Sequence, residues 1–216
     1  MKTYIITILT VCHLALFYSC GTGSSQLTIE SEKQIKMKNY SVNSPAGDDW
    51  EYAVDNDKQI IAFHRQGGEM FQLISSKNRR DTFINLSRTG FRGSANGSTR
   101  KEIAEGFMDN EFKIMQNDYE RTDYGEPELL EKDSLTINNK VLYRMKYELS
   151  CSLLPGSGYN CFSGEGHLYV YMPKSFEDNG IFYAFVIEEY GYSMFYPYDL
   201  EQVSGVITSF SCEEDK

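Results

Sequence analysis

From residue 35 to residue 210 the chain is a succession of short apolar runs closed by turn formers, and only two stretches carry helical periodicity. Strands grouped into hairpins with two helices predict an α+β domain built on an antiparallel sheet flanked by helices. The first strand is expected at 35–42, ended by the turn Asn43-Ser44-Pro45-Ala46-Gly47. Runs 50–54 and 59–64 flank Asp55-Asn56-Asp57 as a hairpin, and 70–74 and 81–88 supply further strands. Thr99-Arg100-Lys101-Glu102 fits a capping box, so a helix should start there and run to about residue 117. Its buried side should carry Ile103, Ala104, Phe107, Met108, Phe112 and Met115. Strands follow at 129–137 and 141–150 around the tight turn Asn138-Asn139, then at 162–172 and 181–189. Asp199 opens a closing helix with Leu200, Val203, Val206, Ile207 and Phe210 on one face. No linker interrupts this stretch, so residues 35–212 are expected to form one domain.

Upstream of that domain, Met1-Lys2 gives a positive start, and residues 4–17 are fourteen residues without Asp, Glu, Lys or Arg. Phe17-Tyr18-Ser19-Cys20 follows, with a small residue just before the cysteine. Charge, apolar stretch, small residue and cleavage point are the features the export machinery reads, and the stretch is too short for a spanning helix. The segment resembles the signal peptide and lipobox of bacterial lipoproteins, with Phe17 and Tyr18 where smaller residues are usual. The resemblance implies removal of residues 1–19 and acylation of Cys20, with residues 20–34 as a flexible tether that includes Gly21-Thr22-Gly23-Ser24-Ser25. The expected location is the bacterial cell envelope, anchored by lipid in the outer membrane. An ordinary secretory leader or an uncleaved anchor would explain the same stretch.

Charge narrows the partners. The chain carries a net −10, and loss of Lys2 with residues 1–19 leaves 20 basic against 31 acidic residues. An acidic surface repels phosphate backbones, so no nucleic-acid partner is expected. Lys33, Lys36 and Lys38 form a local basic cluster. Sixteen Tyr and thirteen Phe favour strands and also stock a binding surface.

The order of elements resembles the PsbP/Mog1-like fold. An opening hairpin has Pro45, Gly47 and Trp50 at its turn, and strands and one long amphipathic helix follow. The unit Thr136-Ile137-Asn138-Asn139-Lys140-Val141 and a final helix ending Ile207-Thr208-Ser209-Phe210 complete the pattern over residues 36–210. The resemblance implies an α/β/α sandwich used mainly as an accessory or binding module, with no catalytic residues to carry over. The chain departs from the pattern in the loop between Cys151 and Cys161 and in the aromatic segment near residue 195.

Constellations that carry chemistry are sparse. Cys151 and Cys161 sit at the neck of one hairpin, where a disulfide would close the loop in an oxidising envelope; a reduced pair is the alternative. Zinc on Cys151, Cys161 and His167 lacks a short chelating pair, so no metal is expected. His64 and His167 should be exposed strand residues, since no Gly-x-Ser-x-Gly elbow accompanies them. The pairs Asp48/Asp49, Glu188/Glu189 and Glu213/Glu214 read as solvated surface charge, and Cys212 as an unpaired thiol in a polar tail.

One segment stands out as a partner surface: Tyr190, Tyr192, Phe195, Tyr196 and Tyr198, with Met194 among them. The same rings folded back onto the sheet would instead complete the core. The expected function is therefore that of a lipid-anchored, non-catalytic envelope protein, an accessory module for another envelope protein that needs no cofactor. A carrier holding a lipid or small apolar ligand in a cleft lined by Phe185, Phe195 and Tyr196 is the alternative, and an envelope hydrolase with a dispersed acidic site is the third.

Overall fold

A computed structural model of the 216-residue chain describes residues 27–28, 33–47, 50–65, 81–91, 99–119, 127–149, 162–192 and 204–215. The strands are β1 (Leu27–Thr28), β2 (Gln34–Lys36), β3 (Tyr40–Asn43), β4 (Trp50–Asp55), β5 (Ile60–Arg65), β6 (Asp81–Gly90), β7 (Pro127–Ile137), β8 (Lys140–Leu149), β9 (Phe162–Tyr171), β10 (Ile181–Tyr192) and β11 (Ser211–Cys212). The helices are α1 (Arg100–Tyr119), α2 (Phe176–Asn179) and α3 (Ser204–Ser209). Every strand pairing is antiparallel, as expected. The main sheet runs β1-β4-β5-β6-β10-β9-β8-β7, and a small sheet runs β11-β3-β2. The α+β architecture read from the sequence is thus the architecture of the chain.

Two cores lie on opposite faces of the main sheet, because successive strand residues point to opposite sides. Phe182, Ala184 and Val186 of β10 join Met145, Tyr147 and Leu149 of β8 beneath α1. Tyr183, Phe185 and Ile187 face the other way, into a core closed by Val42 of the small sheet and by Val206, Ile207 and Phe210 around α3. Phe210 plugs this second core, with its ring against Tyr183 at 4.9 Å and Phe185 at 5.1 Å between centroids.

Local sequence accounts for the best-defined elements. Thr99 Oγ1 accepts from Glu102 N (3.2 Å), and Glu102 Oε2 accepts from Thr99 N (2.7 Å), which completes the capping box. Of the six positions assigned to the buried side of α1, five are buried and Phe107 is half-buried, with its ring 4.8 Å from that of Phe182. Asn138 and Asn139 take φ of 50° and 63°, the left-handed conformation that a two-residue hairpin requires and asparagine tolerates. Asp55 Oδ1 accepts from Asp57 N and Lys58 N and so closes the β4–β5 turn.

The first strand departs from expectation. Residues 35–42 form two strands, β2 and β3, folded on each other by a turn in which Met37 N donates to Tyr40 O (2.8 Å). The buried positions change from odd (Ile35, Met37) to even (Tyr40, Val42) across that turn. A continuous strand would have put one of the two sets in water. The closing helix is described only from Ser204, so Asp199, Leu200 and Val203 lie outside the described residues, as does the strand expected at 70–74.

Candidate functional site

Of the charged residues expected on the surface, His167, Glu188 and Glu189 are buried, Glu213 is exposed, and Asp48 and Asp49 lie outside the described residues. His167 is buried, and both its ring nitrogens are engaged: Nδ1 with the Tyr169 hydroxyl (2.9 Å) and Nε2 with Glu165 Oε1 (2.8 Å). Tyr169 in turn meets Arg144, whose guanidinium forks onto Asp133. Arg144 donates to the Tyr169 oxygen, so the Tyr169 O–H is directed to Nδ1 and Nε2–H to Glu165, which assigns the neutral tautomer. Burial pushes the His167 pKa down against the pull of Glu165. The hydrogen bond from Arg144 holds the Asp133 carboxyl below its usual range, and burial raises the Tyr169 phenol. This series runs from Asp133 on β7 through Arg144 on β8 to Tyr169, His167 and Glu165 on β9. Both His167 ring nitrogens are thus engaged by side chains of its own strand.

Glu188 and Glu189 are both buried, not solvated. They are neighbours on a strand and point to opposite faces, so they cannot flank one bond as an acid/base pair. Glu188 accepts from the Tyr147 hydroxyl on the α1 face. Glu214 is also drawn in: it accepts from Arg88 Nε (3.0 Å) and Nη2 (2.7 Å), and from the Tyr183 hydroxyl (2.6 Å). Cys212 lies in β11, buried, and is a free thiol, where a polar tail was expected. His64 is half-buried and stacks on Phe83 at 4.4 Å. Phe185, assigned to a ligand cleft, is a fully buried core residue packed against Phe210. One buried carboxylate escaped notice in the sequence. Glu111 lies on the sheet-facing stripe of α1 with Met108 and Met115, and its Oε1 has no hydrogen-bond partner. Its place on that stripe, four residues before Met115, was the available clue.

The aromatic segment begins inside the sheet. Strand β10 continues to Tyr192, so Tyr190 and Tyr192 are strand residues paired with Gly164 and Phe162, where a loop was expected. Phe195, Tyr196 and Tyr198 lie outside the described residues, as do Cys20, Cys151 and Cys161. Tyr192 and Phe162 are register partners. The chain therefore leaves β10 toward the aromatic segment at the point where it enters β9 from the Cys151–Cys161 segment. Leu149, the end of β8, pairs with Gly164 beside them.

A groove of about 320 Å³ runs along the small sheet, lined by Lys36, Lys38, Asn39, Ser211, Cys212 and Glu213 among others. Among the described residues no helix is long and apolar enough to cross a membrane, and no group of three His, Cys, Asp or Glu side chains is placed to hold a metal.

No protein-family model and no curated protein matches the sequence. Among solved structures the chain is similar to the cyanobacterial PsbP protein CyanoP from Synechocystis sp. PCC 6803. The identity is 12% over 89% of this chain and 98% of that one, with a TM-score of 0.45. It is also similar to a protein of unknown function from Pseudomonas aeruginosa, at 10% identity over 74% of this chain and 83% of that one, with a TM-score of 0.34. At these values neither comparison transfers a residue role, partner or activity to this chain.

Proposed function

We propose that this chain is a lipid-anchored, non-catalytic protein of the bacterial envelope, a PsbP-like accessory module that binds another envelope protein while Cys20 holds it to the outer membrane. The observation that carries this reading is the pairing of Tyr192 with Phe162. It roots the aromatic segment on β10, which lies between β6 and β9 in the main sheet. Tyr and Phe side chains offer large contact area at low entropy cost when a partner covers them. Support also comes from the leader and Cys20, and from the self-satisfied bonding of His167, Glu188 and Glu214, which leaves these groups committed to the fold.

The test is affinity capture from detergent-solubilised envelopes with the tagged full-length chain, beside a Tyr192→Ala/Phe195→Ala/Tyr196→Ala version checked for folding by circular dichroism. A stoichiometric protein retained by the wild type and lost from the triple variant is the expected result. Equal recovery with both forms removes the aromatic segment from the interface. Bound lipid in place of protein favours the carrier. Fatty-acid labelling that persists in Cys20→Ser sinks the anchor.

A further inference from the structure

The outer face of the small sheet is polar, and lysines supply its charge. Gln34 and Lys36 of β2, Ser41 and Asn43 of β3 and Ser211 of β11 alternate with the buried Ile35, Tyr40, Val42 and Cys212, so they face outward. Lys33 and Lys38 flank β2, and all three lysines are exposed. Among the described residues none of them forms an ion pair. Lys58, Lys101, Lys132, Lys140 and Lys146 pair with Asp55, Glu105, Asp109, Asp215 and Glu131, while the exposed Lys113 and Lys174 stand singly and unpaired among the described residues. Three unpaired lysines within six residues run against the net −10 of the chain. Glu213, beside Lys36 and Lys38 in the groove, offsets the excess only in part.

This face is close to the proposed anchor along the chain. Leu27–Thr28 is held by pairing with β4, seven residues after Cys20 and five before Lys33. Seven residues of any conformation span at most about 25 Å. Anchoring Cys20 in a bilayer thus brings β1, and the β2–β3 hairpin that follows it, to within a few Debye lengths of the headgroups.

We propose that Lys33, Lys36 and Lys38 dock the small sheet onto anionic phospholipid headgroups of the bilayer in which Cys20 is anchored. This rests on the lipid-anchor reading. The acidic remainder of the surface is repelled by the same lipids, so the domain is oriented lysine face down. A cationic patch beside an acyl anchor is also a second attachment of the kind that makes lipidation stable.

The test uses the full-length lipidated protein in vesicles of phosphatidylcholine alone, or of equal parts phosphatidylcholine and phosphatidylglycerol. Flotation is read first, then acetylation of each lysine by mass spectrometry. The expected result is flotation with both vesicles. In the anionic vesicles alone, labelling of Lys33, Lys36 and Lys38 should fall about fivefold or more against the exposed Lys113 and Lys174, and concentrated salt should restore it. Protein that floats but labels equally in both vesicles overturns the lysine face and leaves the anchor standing. Protein that does not float overturns both. Protection seen only in native envelopes assigns the lysines to an acidic protein and overturns the lipid proposal.

Discussion

Tyr147 on β8 donates its hydroxyl proton to Glu188 on β10, 2.5 Å away, across the intervening strand β9. Gly166 makes this possible: it pairs with Tyr147 on one side and Glu188 on the other, and a Cβ built on it would overlap the Tyr147 ring. A buried carboxylate, a tyrosine and a glycine from three strands thus act as one unit.

Gly166→Ala should therefore destabilise the protein by about 1–3 kcal/mol, because the ring must move and the Tyr147–Glu188 hydrogen bond is disturbed. Urea unfolding followed by circular dichroism measures it. Gly106→Ala is the control: this glycine is exposed in α1 with nothing within 4 Å of an added Cβ, and the change should stabilise by roughly 0.5–1 kcal/mol. Equal effects at the two positions would refute the account of Gly166.

Burial raises the Glu111 carboxyl from the usual 4.5 to about 7, against an opposing hydrogen bond from Asn110. Between these values the folded protein binds a proton that the unfolded chain does not. Stability is then fully present below the unfolded value and is lost as pH rises through about 7. The loss is on the order of 3 kcal/mol. Glu111→Gln removes this dependence, so it should match the wild type near pH 5 and exceed it near pH 8. Parallel unfolding curves of the two proteins across pH check this.

Glu214 has the opposite sign. Burial pushes its carboxyl up, but the bonds from Tyr183 and Arg88 outweigh burial and hold it below the usual range. Its contribution is present above the unfolded value and fades as pH falls through the folded one. Glu214→Ala should cost about 2 kcal/mol at neutral pH, because Arg88 and Tyr183 lose their acceptor, and clearly less in acid. A cost independent of pH would contradict the network.

Burial, chiefly, pushes the Cys212 thiol up to about 12. Alkylation at pH 8, mapped by mass spectrometry, should leave Cys212 unmodified in the native protein and modify it fully in denaturant. Fast native labelling would show that β11 opens readily from β3.

The sequence by itself determined the elements whose causes lie within a few residues. The Thr99–Glu102 capping box starts α1, and Asn138-Asn139 turns β7 into β8, because a side-chain cap and a positive φ are properties of three or four adjacent residues. The class of fold followed from the grouping of those elements. The break of residues 35–42 into two strands was also written in the chain, as the switch of apolar positions from odd to even.

Only the tertiary structure decided which polar groups go inside. Glu188 and Glu189 look alike in an acidic sequence, as does Glu214 beside Glu213. Glu188 and Glu214 are drawn in by partners far along the chain: Tyr147, 41 residues from Glu188, and Arg88, 126 residues from Glu214. The β8–β9 register places Arg144 opposite Tyr169, whose hydroxyl meets His167, and the extension of β10 to Tyr192 depends on Gly164 and Phe162 lying alongside it. A buried polar group is tolerated only where a partner meets it, and that partner is supplied by strand pairing, which local sequence does not encode.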